Sequence, residues 1–135
     1  MYKHILVPVA FEKDRDSTAA CDIAKALTAQ GGRVTLLHVM EEVPSYAINY
    51  MPQGFVAESR RAVETELAQM SADLPGGTGA VIEGHSGRSI LDYAAANDVD
   101  CIVIASHRPG MQDLLLGSTA TQVVRHSKCA VHVIR

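Results

Sequence analysis

The sequence predicts an α/β protein: an open, doubly wound, five-stranded parallel sheet with helices on both faces. Three observations predict it. Short, nearly continuous apolar runs occur five times, the pattern of strands buried on both faces. Amphipathic helical patterns lie between them. The resulting order, β-α-β-α-β-α-β-α-β, requires parallel strands joined by right-handed crossovers.

Each element has its own justification. "HILVPV", residues 4–9, is the first strand. With Asp16 placed as N-cap, Ala20, Ile23, Ala24 and Leu27 recur at helical spacing, and Gly31-Gly32 ends that helix. "RVTLLHVM", 33–40, is the second strand. "EEVPSYAINYMPQG", 41–54, is the one long connection, a length at which loops are often functional. Its Tyr46 and Tyr50 suit either a cover over a ligand or a contact with a partner. From Val56 to Ala72, Val63, Leu67 and Met70 share a face, and "PGGTG", 75–79, breaks the helix. "GAVIEG", 79–84, is the third strand. Gly87 to Asn97 carries a stripe of Ile90, Leu91 and Ala94. "CIVIAS", 101–106, is the fourth strand. Ser118 to His126 carries Ala120, Val123 and Val124, and "AVHVIR", 130–135, is the fifth strand. There is no internal repeat or boundary, so 1–135 reads as a single domain.

Composition removes several classes of function. Of 135 residues, 47% are apolar and 20% charged, with a net charge of −3. That suits a packed domain and gives no basic surface for nucleic acid. No apolar stretch approaches the ~18 residues that span a bilayer. "MYKHILVPVAFEKD" breaks at Pro8 and runs into charges, a poor signal peptide, so the expected location is the cytoplasm. Cys21, Cys101 and Cys129 are odd in number and form no CxxC, so they read as buried reduced thiols. His126, Cys129 and His132 are spaced by three. On a strand, positions three apart point to opposite faces, which argues against a metal site there.

Open α/β sheets bind ligands beyond the carboxyl ends of their strands, where strand order reverses. Here those ends are Val9-Ala10-Phe11, His38-Val39-Met40, Gly84 and Ile104-Ala105-Ser106-His107-Arg108. The last leads into "ASHRPGMQDLLLGST", 105–119. Gly110 and Gly117 permit close backbone approach. Gly117 precedes a helix whose first N–H groups and dipole favour an anion. Ser118 and Thr119 add hydroxyls, Arg108 a fixed positive charge, and His107 a second charge when protonated. A plainer reading has Gly117 turning the chain and Ser118 capping the helix. Neither GxxxxGK[ST] nor GxGxxG is present.

"ILVPVA", "VTLLHV" and "IVIASHRPG…LLLGSTATQVVRHSKCAVHVIR", in this five-strand order, resemble the universal stress protein family over essentially the whole chain, in its small bacterial branch. The resemblance implies strand order 3-2-1-4-5, an arrangement similar to flavodoxin-like and adenine nucleotide alpha hydrolase-like folds. It also implies a homodimer through the last strand and, in one subset, a bound adenine nucleotide, ATP or AMP, with or without magnesium. That subset carries Gly, two residues, Gly, nine residues, then Gly-Ser or Gly-Thr. Gly117-Ser118 matches the end of it, while Ala105 and Arg108 stand where the two earlier glycines would be, and the spacer 109–116 has eight residues. The family's Asp two residues after the first-strand Pro, which meets the ribose, is here Ala10. A charged hydrogen bond of that kind is worth about 1.5–3 kcal/mol.

The implied nucleotide site comprises Pro8, Val9, Ala10, Val39, Ile104, Ala105, Ser106, His107, Arg108, Gly110, Gly117, Ser118 and Thr119. The resulting expectation is a homodimeric stress-response regulator that binds an adenine nucleotide. The alternative is a dimeric scaffold of the same fold that binds none and acts through its surface on an unidentified protein partner. A phosphotransferase reading would need His107 as base or acceptor and Asp14, Asp16 or Asp113 near the phosphates, without a Walker lysine.

Overall fold

A computed structural model describes residues 1–11, 17–106 and 117–135. Its elements are β1 (Tyr2–Pro8), α1 (Thr18–Leu27), β2 (Thr28–Met40), α2 (Ser45–Ile48), α3 (Phe55–Ser71), β3 (Thr78–Glu83), α4 (Ser86–Ala96), β4 (Cys101–Ala105), α5 (Ser118–His126) and β5 (Ala130–Ile134). All strand pairs are parallel, in the order β3-β2-β1-β4-β5. The doubly wound architecture and the strand order are therefore as the sequence and the family resemblance imply.

Alternation along each strand sorts the core into two layers. Ile5, Val7, Val34, Leu36, Cys101 and Val103 point to one face, beneath Ala20 and Ala24 of α1 and Leu67 of α3. Leu6, Leu37, Ile102 and Ile104 point to the other, beneath Ile90 and Ala94 of α4 and Ala120 and Val123 of α5. Val63 and Met70 pack at the edge of the first layer, completing the stripe read from the sequence of α3. Chain direction then follows. The excursion from β1 through β3 winds one way across the sheet, and the excursion from β4 to β5 winds the other. The helices that follow β1 and β4, α1 and α5, pack on opposite faces, which opens a crevice at the carboxyl ends of those strands.

Three local readings need correction. The first helix ends at Leu27, not at Gly31-Gly32. The Thr28 hydroxyl donates to the Ala24 carbonyl at 2.6 Å, closing the last turn, and the chain is already extended. The glycine pair instead sits inside β2, where the β1–β2 register shifts between Tyr2 and His4 and Gly31 takes φ +78°. It makes a bulge, a role that also calls for glycine. The 41–54 connection contains the short helix α2. Val124 of α5 is exposed rather than part of the buried stripe. The proposed N-cap Asp16 lies outside the described residues, and the residue before α1 is Ser17.

Burial, with Cys129 and Asp100 nearby, pushes the Cys101 thiol up to about 11, so it packs as a small apolar group. Among the described residues no three His, Cys, Asp or Glu side chains are grouped to hold a metal ion. Among the same residues no helix is long and apolar enough to cross a membrane.

Candidate functional site

A cleft of about 830 Å³ opens at the carboxyl end of the sheet, a size typical of small-molecule sites. Its walls come from both sides of the strand reversal. Pro8, Val9, Ala10 and Phe11 end β1, and Leu37, His38, Val39 and Glu41 end β2. Ile104 and Ala105 end β4, and Ile134 and Arg135 end β5. Ser17, Ser86 and Thr119 stand at or beside the starts of α1, α4 and α5.

The backbone at this end has a defined direction. The Val9 N–H donates to the Leu37 carbonyl at 2.8 Å, so odd residues of β2 face β1 there. The Gly84 N–H donates to the Met40 carbonyl at 3.0 Å, so even residues face β3. By that alternation the N–H and C=O of Val39 point toward β1 but past its end, into the cleft. They form an adjacent donor and acceptor in the wall at the end of β2.

The His38 ring folds back over the end of β1. Its Nδ1 lies 2.7 Å from the Val9 carbonyl oxygen, and its ring meets Phe11 edge-on, with centroids 5.1 Å apart. A carbonyl oxygen only accepts, so Nδ1 carries the proton in this contact.

The end of β4 carries an anomaly. Ser106 is 2% exposed, and its Oγ has no hydrogen-bond partner among the described residues. Its backbone is fully engaged: the N–H donates to the Ile134 carbonyl at 2.8 Å, and the C=O accepts from the Gly117 N–H. Such an orphaned hydroxyl is costly and calls for a partner. It sits beside the start of α5, whose N-cap is Gly117 and which no side chain among the described residues caps. Ser118 is thus the first helical residue rather than the cap. A Cβ on Gly117 would stand 2.7 Å from the Ser106 carbonyl oxygen, so the bare backbone is needed for this approach.

Of the residues expected from the sequence, Pro8, Val9, Ala10, Val39, Ile104, Ala105 and Thr119 line the cleft. Ser106, Gly117 and Ser118 are not among the lining residues; they meet at the start of α5, where the Gly117 N–H donates to the Ser106 carbonyl. His107, Arg108 and Gly110 lie outside the described residues, as do Asp14, Asp16 and Asp113. Tyr46 and Tyr50 are 76% and 89% exposed and are not among the residues that line the cleft.

Sequence reasoning missed Ser17, Glu41, Ser86 and Arg135, and named Phe11 and His38 only within the strand ends. His38 and Phe11 were visible as strand-end positions, but the bond from imidazole to the Val9 carbonyl was not. Ser17 and Ser86 carry the signal of a polar residue at a helix start. Arg135 and Glu41, at the rim, carry no local signal. They are the cation and the carboxylate among the described lining residues other than His38.

The universal stress protein family model matches residues 1–135. Universal stress protein G of Salmonella typhimurium is 31% identical over 147 residues, covering 100% of both chains. Solved structures share the fold. The universal stress protein UspA of Lactobacillus plantarum superposes with a TM-score of 0.72 at 24% identity, covering 99% of this chain and 98% of that one. The universal stress protein of Archaeoglobus fulgidus in complex with dAMP gives 0.68 at 18%, covering 99% and 98%. A universal stress protein in complex with cAMP gives 0.70 at 16%, covering 99% and 97%.

Proposed function

We propose a nucleotide site from one premise: this chain belongs to the universal stress protein family. The cleft at the strand reversal holds an adenine nucleotide, and occupancy of that cleft is the protein's regulatory signal. Adenine lies against the end of β2, where the Val39 N–H and C=O complement its ring nitrogen and amino group, with Ile104 and Ala105 as apolar floor. The ribose crosses the end of β1 over Pro8, Val9 and Ala10. The phosphate lies at the start of α5, with Gly117, Ser118 and Thr119. There the uncapped N–H groups and the helix dipole favour an anion. His107, Arg108 and Gly110 complete the phosphate side in this reading.

The observation that carries it is the Ser106 hydroxyl, buried and, among the described residues, unpartnered beside a helix start that its N-cap residue does not cap. A phosphate oxygen is the acceptor such a group lacks. The dAMP and cAMP complexes of fold neighbours support the ligand class. Nucleotide-stripped protein should bind AMP or ATP with a micromolar dissociation constant in calorimetric titration, with and without magnesium. No heat and no thermal shift at millimolar concentrations of either would return the protein to the scaffold reading.

The sheet edges favour a homodimer through β5. At the β3 edge, Arg60 Nη2 donates to the Val81 carbonyl at 2.8 Å, capping the strand. At the β5 edge the Ser106–Ile134 bond turns even residues inward, which leaves the backbone of Val131 and Val133 facing outward. An uncovered edge of this kind pairs with a second copy about a two-fold axis. Light scattering at micromolar concentration should give twice the chain mass, and a monomer mass rejects the dimer.

A further inference from the structure

We propose that His38 is a ligand-contacting, specificity-determining residue that accepts a hydrogen bond from a ribose hydroxyl. The inference rests on the nucleotide reading above. With adenine at the end of β2 and phosphate at the start of α5 beyond β4, the sugar must cross the end of β1, which lies between those strands. Adjacent strands are about 4.8 Å apart, so the ribose spans that step. The wall beneath it is apolar: Pro8, Val9, Ala10 and Phe11 offer no side-chain acceptor. The His38 imidazole is the polar group laid across this strand end.

Its chemistry is set by the fold. Nδ1–H is committed to the Val9 carbonyl at 2.7 Å, and the edge contact with Phe11 fixes the plane of the ring. In the neutral imidazole Nε2 is then a pure acceptor. Sugar hydroxyls are the donors that a nucleotide brings to this part of the cleft. The arrangement therefore distinguishes a ribonucleotide from one lacking both hydroxyls.

The test compares AMP with 2′,3′-dideoxy-AMP by calorimetry. Wild-type protein should bind AMP about three- to ten-fold more tightly, the range of one neutral hydrogen bond. His38→Asn puts an amide N–H near the place of Nδ1, keeping the bond to Val9, but has nothing in place of Nε2. It should bind both ligands alike, at the dideoxy level. Asp92→Asn, on the exposed face of α4 and not among the cleft's lining residues, should leave the discrimination intact. Histidine-15N spectra of wild-type protein should show the Nε2 resonance of His38 moving upfield with AMP and not with the dideoxy analogue. Equal binding of both ligands by wild-type protein, or discrimination that survives in His38→Asn, overturns the assignment and leaves the nucleotide reading standing. Binding of neither ligand removes the nucleotide reading, and this inference with it.

Discussion

The two ends of the parallel sheet use polar groups in opposite ways. At the amino end the groups satisfy one another. His4, 4% exposed, places Nδ1 2.9 Å from the Asn97 carbonyl and Nε2 2.8 Å from Thr35 Oγ1, which in turn meets Thr78 Oγ1 at 3.2 Å. The Asp100 carboxylate accepts the N–H of Lys3 at 2.9 Å and of His4 at 3.0 Å, while the Asp100 N–H donates to the His4 carbonyl at 3.0 Å. At the carboxyl end, among the described residues, the groups are left open: the Val39 amide points past β1, Ser106 Oγ has no partner, and no side chain caps α5. Closed polar networks rigidify, whereas open ones need a ligand. Substitutions at the amino end should therefore change stability and spare binding. Those at the carboxyl end should do the reverse.

The largest effect is expected from His4→Ala. It removes a buried ring, leaves a cavity, strands the Asn97 carbonyl and leaves the Thr35 hydroxyl with Thr78 alone. The cost should be about 3 kcal/mol. For a chain of this length that lowers the melting temperature by about 10 °C. AMP affinity, measured well below the melt, should be unchanged. A parallel fall in affinity would show that the two ends are coupled, and the contrast would fail.

Asp100→Asn should have a smaller effect, about 1–2 kcal/mol at neutral pH, because one of two charge-assisted acceptors is lost. Its pH dependence has a definite sign. Burial alone would raise the Asp100 pKa, but the N–H groups of Lys3, His4 and Asp100 itself, with the positive field of His4, reverse this and hold it below the usual carboxylate value. A carboxyl lowered on folding adds stability above its unfolded pKa of about 3.9, which is lost as pH falls through the folded value. Urea midpoints of wild type and Asp100→Asn should thus differ at pH 7 and converge toward pH 3. A constant gap would assign the effect to shape and not charge.

The same contrast explains what could be read without coordinates. Three of the five apolar runs announced their strands because both faces of β2, β1 and β4 are buried, so Ile5, Leu36 and Ile102 had to be apolar; β3 and β5, at the edges, are only part-buried, contrary to the pattern read from their runs. The strand ends were legible for the same reason, as places where those runs stop, and Val9, Val39 and Ile104 follow from that. Side-chain direction was not legible. Nothing local tells that His38 reaches back to β1, or that Arg135, 125 positions from Ala10, lines the same cleft. Gly31-Gly32 misled because a helix stop and a strand bulge call for the same residue. His4 read as part of an apolar run, since its partners Thr35, Asn97 and Asp100 converge only through the topology.

Ser106→Ala should give the smallest stability change and the sharpest test, because its sign is inverted. Removing a polar group usually destabilises a fold by breaking a bond, but here no bond is recorded at Oγ among the described residues. Alanine keeps the backbone links to Ile134 and Gly117 and deletes only a buried hydroxyl without a partner. Ligand-free protein should therefore gain up to about 1 kcal/mol, or some 3 °C in melting temperature. If that hydroxyl donates to the ligand's phosphate, the same variant should bind AMP about ten-fold more weakly, since a hydrogen bond to a charged group is worth at least about 1.5 kcal/mol. Adenosine, which lacks the phosphate, should bind both proteins alike. A variant that melts higher and binds AMP with undiminished affinity would move the phosphate away from Ser106. One that melts lower would show the hydroxyl to be engaged in the fold, and the two ends would no longer differ in kind.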